Sequence, residues 1–347
     1  MAASRASLIL WSLLTAGATA STFANTLHNG TSIPESISVP GNFDGPKLTP
    51  RQANETTYDW YYFSAVSEST NASLVVVFWN NGPKATRNPY LSGPYSVTIN
   101  GTFDDGSNFS SESAAPGGAT ISNDENGISA TWEGSGFSFT GTGLDQPEVE
   151  YVLKVDNPDI DIQGNVTLKA AVAVPDADTA VHLNIGGRPL SFTDGVGYYE
   201  KTWGDAPLLE SINSWYWGHA RLGPYSVVWF DVLDPTMTEY FSGYVAKDGQ
   251  VLEASCAPDS VVVRPWGFNS EYPPIASTGL MQGLYARFQL DDGTVLAANI
   301  TTGTVVFNSR NFSARMLGTV VGSIEGSNEK FEGRALFELL KLSGLEL

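Results

Sequence analysis

The chain has 347 residues, 37 acidic against 18 basic side chains, three His and one Cys, giving a net charge of −19 and a pI near 4.4. So acidic a surface repels phosphates and anionic lipid, which excludes nucleic acid as a partner. A hydrophobic fraction of 42% with 16% charged residues excludes disorder and leaves room for two cores of ordinary size.

Residues 1–20 hold one basic residue, Arg5, an apolar run from Leu8 to Leu14 and the small-residue end Ala18-Thr19-Ala20. This is the pattern of a signal peptide, and it is too short to cross a bilayer, which takes about 20 apolar residues. The mature chain is expected to be soluble, in the secretory pathway, secreted or held in secretory vesicles. Cys256 then has no disulfide partner and reads as a buried or inert thiol. Sequons at Asn29, Asn54, Asn71, Asn100, Asn108, Asn165, Asn299 and Asn311 predict N-linked glycans on surface loops.

Period-2 alternation dominates the rest. From Ile160 to Val174 the even positions are mostly apolar and the odd ones polar, as in a half-buried strand. Further strands are expected at 73–79, 95–100, 128–132, 149–155, 181–185, 214–221, 226–232, 239–246, 261–266, 284–290, 294–300 and 314–324. Asn100-Gly101, Asp105-Gly106, Asp248-Gly249 and Asp292-Gly293 read as hairpin turns. Only 331–342 has mixed periodicity, compatible with a strand or a short helix. The expectation is an all-β fold of two antiparallel, lipocalin-like barrels or sandwiches, 21–190 and 191–347, divided at the Gly186-Gly187 region.

His28, His182 and His219 are scattered without metal-ligand spacing, so no metal is expected, and the nucleophile-elbow, dinucleotide and phosphate-loop motifs are absent. Glu200, Asp205 and Glu210 flank a Trp-rich segment, where a glycosidase would use two as acid and base. Aromatics are the conspicuous resource. Alternation over 214–219 sends Trp215, Trp217 and His219 to one face and Tyr216 to the other. It likewise groups Tyr225, Val227, Trp229 and Asp231, pairs Tyr240 with Tyr244, and pairs Arg264 with Trp266. Such faces serve equally as ordinary core or as the wall of a small-molecule pocket.

Gly197-Tyr198-Tyr199-Glu200-Lys201-Thr202-Trp203-Gly204-Asp205, followed by Trp215-Tyr216-Trp217-Gly218-His219-Ala220, resembles the signatures of the carotenoid-hydratase-like, lipocalin-like superfamily. Trp60-Tyr61-Tyr62-Phe63-Ser64-Ala65-Val66 resembles the opening of its N-terminal domain. Within the superfamily the chain is most similar to fungal Diels–Alderases, and its leader and sequons resemble the subgroup of hetero-Diels–Alderases linked to tropolone sesquiterpenoids. The resemblance implies a pocket near the domain interface, no metal or organic cofactor, and an apolar polyketide or terpenoid substrate. It carries over Trp60, Tyr62, Trp203, Trp215, Trp217 and His219. Alternation adds Tyr225 and Trp266 as substrate contacts, with Arg264 beside His219 as a hydrogen-bond donor to a heterodiene carbonyl. The expected activity is a stereoselective hetero-Diels–Alder cycloaddition, for example of a tropolone quinone methide with a humulene-type alkene. A non-catalytic carrier of an apolar metabolite and a terpenoid hydratase or isomerase stay open as alternatives.

Overall fold

The computed structural model describes residues 20–35, 44–124, 126–142, 148–170, 175–309 and 313–342. Residues 1–19 of the signal segment, the sequon Asn311, and Val172 and Val174 of the alternating run lie outside the described residues.

The N-terminal part contains β1 (Ala20–Phe23), β2 (Ile33–Pro34), β3 (Leu48–Thr49), β4 (Tyr58–Ser67), β5 (Ser73–Asn81), β6 (Tyr95–Thr102) and β7 (Asn108–Ala114). It continues through β8 (Gly118–Asp124), β9 (Gly127–Glu133), β10 (Phe137–Thr142), β11 (Val149–Asn157), β12 (Ile162–Ala170), β13 (Ala177–Ile185) and β14 (Arg188–Gly204). A single turn of helix, α1 (Leu208–Ser211), leads into β15 (Ser214–Leu222), β16 (Tyr225–Leu233), β17 (Glu239–Lys247), β18 (Gln250–Ser255) and β19 (Val261–Trp266). The chain ends with β20 (Gly283–Gln289), β21 (Val295–Ser309), β22 (Ser313–Ile324) and β23 (Phe331–Lys341). Every pairing among these strands is antiparallel, as hairpin connections require.

Two sheets result. The first runs β1-β8-β9-β10-β11-β12-β13-β14-β4-β5-β6-β7 and the second β18-β17-β16-β15-β23-β22-β21-β20-β19. The all-β expectation holds, but the division moves. β14 pairs with β13 at one end and β4 at the other, so it belongs to the first sheet as far as Gly204. Gly186 and Gly187 make the tight β13–β14 hairpin turn, not a linker. Mixed periodicity at 331–342 resolves as β23: Ala335, Phe337 and Leu339 enter the second core, while the intervening residues face the first sheet. Asn100-Gly101 is also reassigned. Gly101 sits within β6, and a Cβ there would lie 2.1 Å from the Ser73 carbonyl oxygen, so it serves close strand approach rather than a turn.

The first sheet curls over a core that includes Phe63, Phe78, Trp132, Phe139 and Tyr151. Its far strands are tied across the interior by Trp132 Nε1 donating to the Trp79 carbonyl at 2.8 Å, and by Asn157 Nδ2 donating to Ser113 and to the Ser135 carbonyl. The second sheet closes at a seam where a side chain replaces a strand partner. Asp231 of β16 accepts from the Val263 amide at 3.0 Å and from Arg264 at 3.0 Å. The outer faces of β4, β5 and β14 then pack on β15, β16 and β23, burying Tyr58, Trp60, Tyr62, Trp217 and Leu336 in a third cluster.

Candidate functional site

The facing sheets can be followed row by row. On the first, register aligns Thr202–Trp60–Trp79, then Glu200–Tyr62–Val77–Thr98, then Tyr198–Ser64–Val75–Asn100. On the second it aligns Trp215–Leu340–Ser313, then Phe230–Trp217–Glu338–Arg315, then Val228–His219–Leu336–Leu317. Side chains in such rows share one face of the pleat. The last row of each sheet closes on the other: His219 Nε2 and Ser64 Oγ share a hydrogen bond of 3.0 Å, and the imidazole stacks on Tyr198 at 5.2 Å. Above this floor the sheets part around a cavity of about 430 Å³. Its deep layer is polar, with Glu200, Tyr62, Arg315 and Glu338, and the layer above is aromatic, with Trp60, Trp79, Trp215, Trp217 and Phe230. The 86–90 loop and Phe307 border it, Tyr90 meeting Phe307 edge to face at 5.7 Å.

Glu200 is the chemically distinctive group. Burial between the sheets pushes its carboxyl from 4.5 up to about 7, against the stabilising hydrogen bond from Tyr198, and the nearby Glu338 carboxylate pushes the same way. The Tyr198 hydroxyl donates to Oε2 at 2.9 Å, and Thr202 reaches Oε1 at 3.3 Å. Across the cavity Glu338 is ion-paired to Arg315 at 2.6 Å, and the Tyr62 hydroxyl donates to it at 3.0 Å. One carboxyl is therefore poised to carry a proton near neutrality beside another that faces a cation, a division of roles familiar from acid–base sites.

Four of the expected contacts, Trp60, Tyr62, Trp215 and Trp217, line the cavity. The others are placed elsewhere. His219 is 1% exposed, in the floor rather than on the wall, and burial, reinforced by Arg221, lowers its pKa from 6.5 to about 3. Burial thus favours its uncharged form, and the ring does not line the cavity. Because the folded pKa is depressed, the unfolded chain binds the extra proton first, and stability falls as pH drops from 6.5 towards 3. We expect His219→Asn to flatten this acid-side loss in a chemical-denaturation series.

Arg264 sits on the barrel seam between Asp231 and Glu239, with its guanidinium 4.0 Å from the Tyr272 ring, and does not line the cavity. Replacing it by Met leaves two carboxylates facing each other. The denaturation midpoint should fall by the equivalent of about 1–2 kcal/mol, with ligand binding in the cavity unchanged. Trp203 donates its indole N–H to the Glu35 carbonyl at 2.7 Å, and Trp266 donates to that of Ile300 at 3.3 Å. Tyr225 packs on Phe331 within the second core. These three are structural. Asp205 and Glu210 are exposed and away from the cavity, so the two-carboxylate glycosidase arrangement is not formed by them.

Asn100 also changes role. It is 6% exposed and accepts from Arg315 at 2.7 Å beside the cavity, a position with no room for a glycan. Asn54 spends its amide on the Gly30 carbonyl and its oxygen on the Thr56 and Thr57 amides. Asn29, Asn71, Asn108, Asn165 and Asn299 are exposed, as is Cys256, contrary to the expected buried thiol. Among the described residues no helix is long and apolar enough to cross a membrane.

The residues missed from sequence are Arg315 and Glu338. Each is a charge beside leucines on its strand face, next to Leu317 on β22 and between Leu336 and Leu340 on β23, and a charge buried in such surroundings needs a partner.

Two curled β sheets with an aromatic cavity between them, and in its depth a carboxyl whose pKa burial raises, define a site suited to a small molecule and to acid chemistry. Comparison with known proteins gives the lineage. A family model described as Diels–Alderase-like matches residues 18–175. The quinolone epoxide rearrangement protein PenF of Penicillium thymicola is 40% identical over 336 residues, covering 89% of this chain and 92% of that protein. The quinolone epoxide rearrangement protein AsqO of Emericella nidulans is 38% identical over 345 residues, covering 92% of each. The chain therefore belongs to the family of the fungal quinolone epoxide rearrangement proteins, and its residues 18–175 match the Diels–Alderase-like model. Its fold matches crystal structures of CghA, alone and with Sch210972. The TM-scores are 0.72 and 0.71 at 15% identity, covering 95% and 94% of this chain and 100% and 99% of CghA.

Proposed function

We propose that the protein is a cyclase that needs no organic cofactor and isomerises an oxygenated small molecule by proton donation from Glu200, the best-supported substrate class being an epoxide. The observation that carries this is the carboxyl of Glu200 in the deep, polar layer of the cavity, with its pKa raised to about 7 by burial. Epoxide opening needs a proton delivered to oxygen as the C–O bond breaks. A carboxyl protonated near neutral pH supplies it, and the positive charge left on carbon is met by the faces of the neighbouring indoles. Migration of a neighbouring group or attack by an internal oxygen quenches that charge. The proton then released returns to Glu200, so atoms balance without a co-reactant. The family relationship to proteins named for quinolone epoxide rearrangement supports the same class.

The Diels–Alderase-like family match favours a second reading within the same cavity, a hetero-Diels–Alder cycloaddition. There the Glu200 proton hydrogen-bonds a heterodiene carbonyl and lowers its acceptor orbital, while the aromatic walls hold both partners in one near-attack geometry. The relatives' names lend no support to the tropolone and humulene pair in particular.

The test incubates purified protein with a quinolone epoxide and follows both rate and product. Acceleration to one isomer is the result expected, and an unchanged spontaneous rate and product ratio overturns the proposal. A carrier predicts binding without acceleration. In either case Trp217→Ala should weaken binding at least tenfold, read by titration, because the indole wall it removes buries most of an aromatic ligand's face.

A further inference from the structure

The Arg315–Glu338 pair is arranged unevenly. Arg315 Nε and Nη2 both approach the same carboxylate oxygen, Oε1, at 2.6 Å, and the Tyr62 hydroxyl donates to that oxygen as well, at 3.0 Å. Among the described residues none donates to Oε2, although Glu338 lines the cavity with its side chain 15% exposed. The guanidinium has five N–H groups. Two point at Oε1 and one, on Nη1, at Asn100 Oδ1 at 2.7 Å, and the Tyr62 hydroxyl lies against the same guanidinium. Five N–H groups exceed these contacts, so the cavity presents Glu338 Oε2, without a donor among the described residues, beside a guanidinium with donor capacity to spare. Strand register sets this pair between two aromatic side chains, Trp217 paired with Glu338 on one side and Phe307 paired with Arg315 on the other.

From this arrangement we infer that Arg315 and Glu338 form a recognition edge for a planar cis-lactam, whose carbonyl accepts from Arg315 and whose adjacent N–H donates to Glu338 Oε2. A cis-lactam offers an acceptor and a donor side by side in one plane, the complement of this edge, and its fused ring would lie over a row flanked by Trp217 and Phe307. Charge-assisted hydrogen bonds of this kind are the strong ones in a desolvated site. The inference rests on the reading of this cavity as the substrate site. It adds orientation: the lactam is held by the second sheet, and the reacting end of the substrate is turned towards Glu200 on the first.

The experiment titrates the full chain with quinolin-2(1H)-one and with its N-methyl derivative, following quenching of tryptophan fluorescence. Methylation removes the donor and puts a methyl group in its place. The wild-type protein should bind the parent about tenfold more tightly, and Glu338→Ala should bring the ratio close to one, since the lost hydrogen bond is to a charged group. A ratio reports only on folded molecules, so partial unfolding of the variant does not mimic the effect. A ratio near one in the wild type, or a tenfold preference surviving in Glu338→Ala, overturns the inference. Glu200→Gln separates it from the acid chemistry. That variant should keep the tenfold ratio while losing turnover, and a Glu200→Gln protein with full turnover and the same ratio refutes the acid alone.

Discussion

Glu200→Gln should lower turnover of a quinolone epoxide by about 10²–10⁴-fold, the usual worth of a positioned general acid. Gln keeps the shape and can accept from Tyr198 through its one oxygen while its amide donates to the Thr202 hydroxyl, but it has no acidic proton to give. The wild-type rate should fall as pH rises through about 7, because the protonated form is the active one, and the variant's residual rate should lack that step. Stability should move the opposite way. A carboxyl whose folded pKa is raised from 4.5 to about 7 contributes stability in full below 4.5, and this is lost as pH rises through 7. Gln carries no such penalty. The variant should therefore match the wild type below about pH 4 and exceed it at pH 8 by about 2–3 kcal/mol, read from denaturant midpoints. Residual exposure of Glu200 to the cavity makes the lower end the better guide.

The second large effect concerns the strand that delivers Glu200. Its neighbour Lys201 points to the other side of β14, into the first core, where its ammonium lies against Asp59 and 3.7 Å from the Tyr61 ring, with side-chain exposures of 1% and 2% for the pair. Burial lowers the Lys201 pKa while Asp59 opposes that shift. Asp59 also accepts from the Lys47 amide at 2.7 Å, pinning the segment before β3 onto β4. Asp59→Ala leaves a cation without its counter-charge in a sealed interior and should cost about 3–5 kcal/mol. The double replacement Asp59→Leu, Lys201→Met should recover most of that loss, since it is the unpaired charge and not the missing pair that is expensive. Equal losses in the single and double variants, measured by denaturant unfolding, would falsify the argument.

Legibility from sequence followed physical rules. Alternation fixed the strands, and the side taken by Trp215, Trp217 and His219 was correct, with Tyr216 in the opposite core. Alternation says which residues share a face, not what that face meets. Tyr225 therefore went into a packed interior, Arg264 onto a seam, and His219 under the floor. The domain division was misplaced because β14 is long and glycine-rich, with Gly195 and Gly197 permitting contact with Phe192 and Thr179 rather than marking a break. Arg315 and Glu338 were hidden because their meaning depends on a facing sheet more than 200 residues away in sequence: Arg315 contacts Asn100 and Glu338 contacts Tyr62. A charge set beside leucines on a strand face was the available signal.

The central claim, a cavity carboxyl that burial raises to a pKa of about 7 so that it still carries its proton in mildly acidic solution, is tested most directly by infrared titration of the protein against Glu200→Gln. A protonated-carboxyl band present in the wild type, absent from the variant and titrating with a midpoint near 7 is the predicted result. A Glu200 that is already fully ionised at about pH 5, close to an ordinary glutamate's range, would contradict the account.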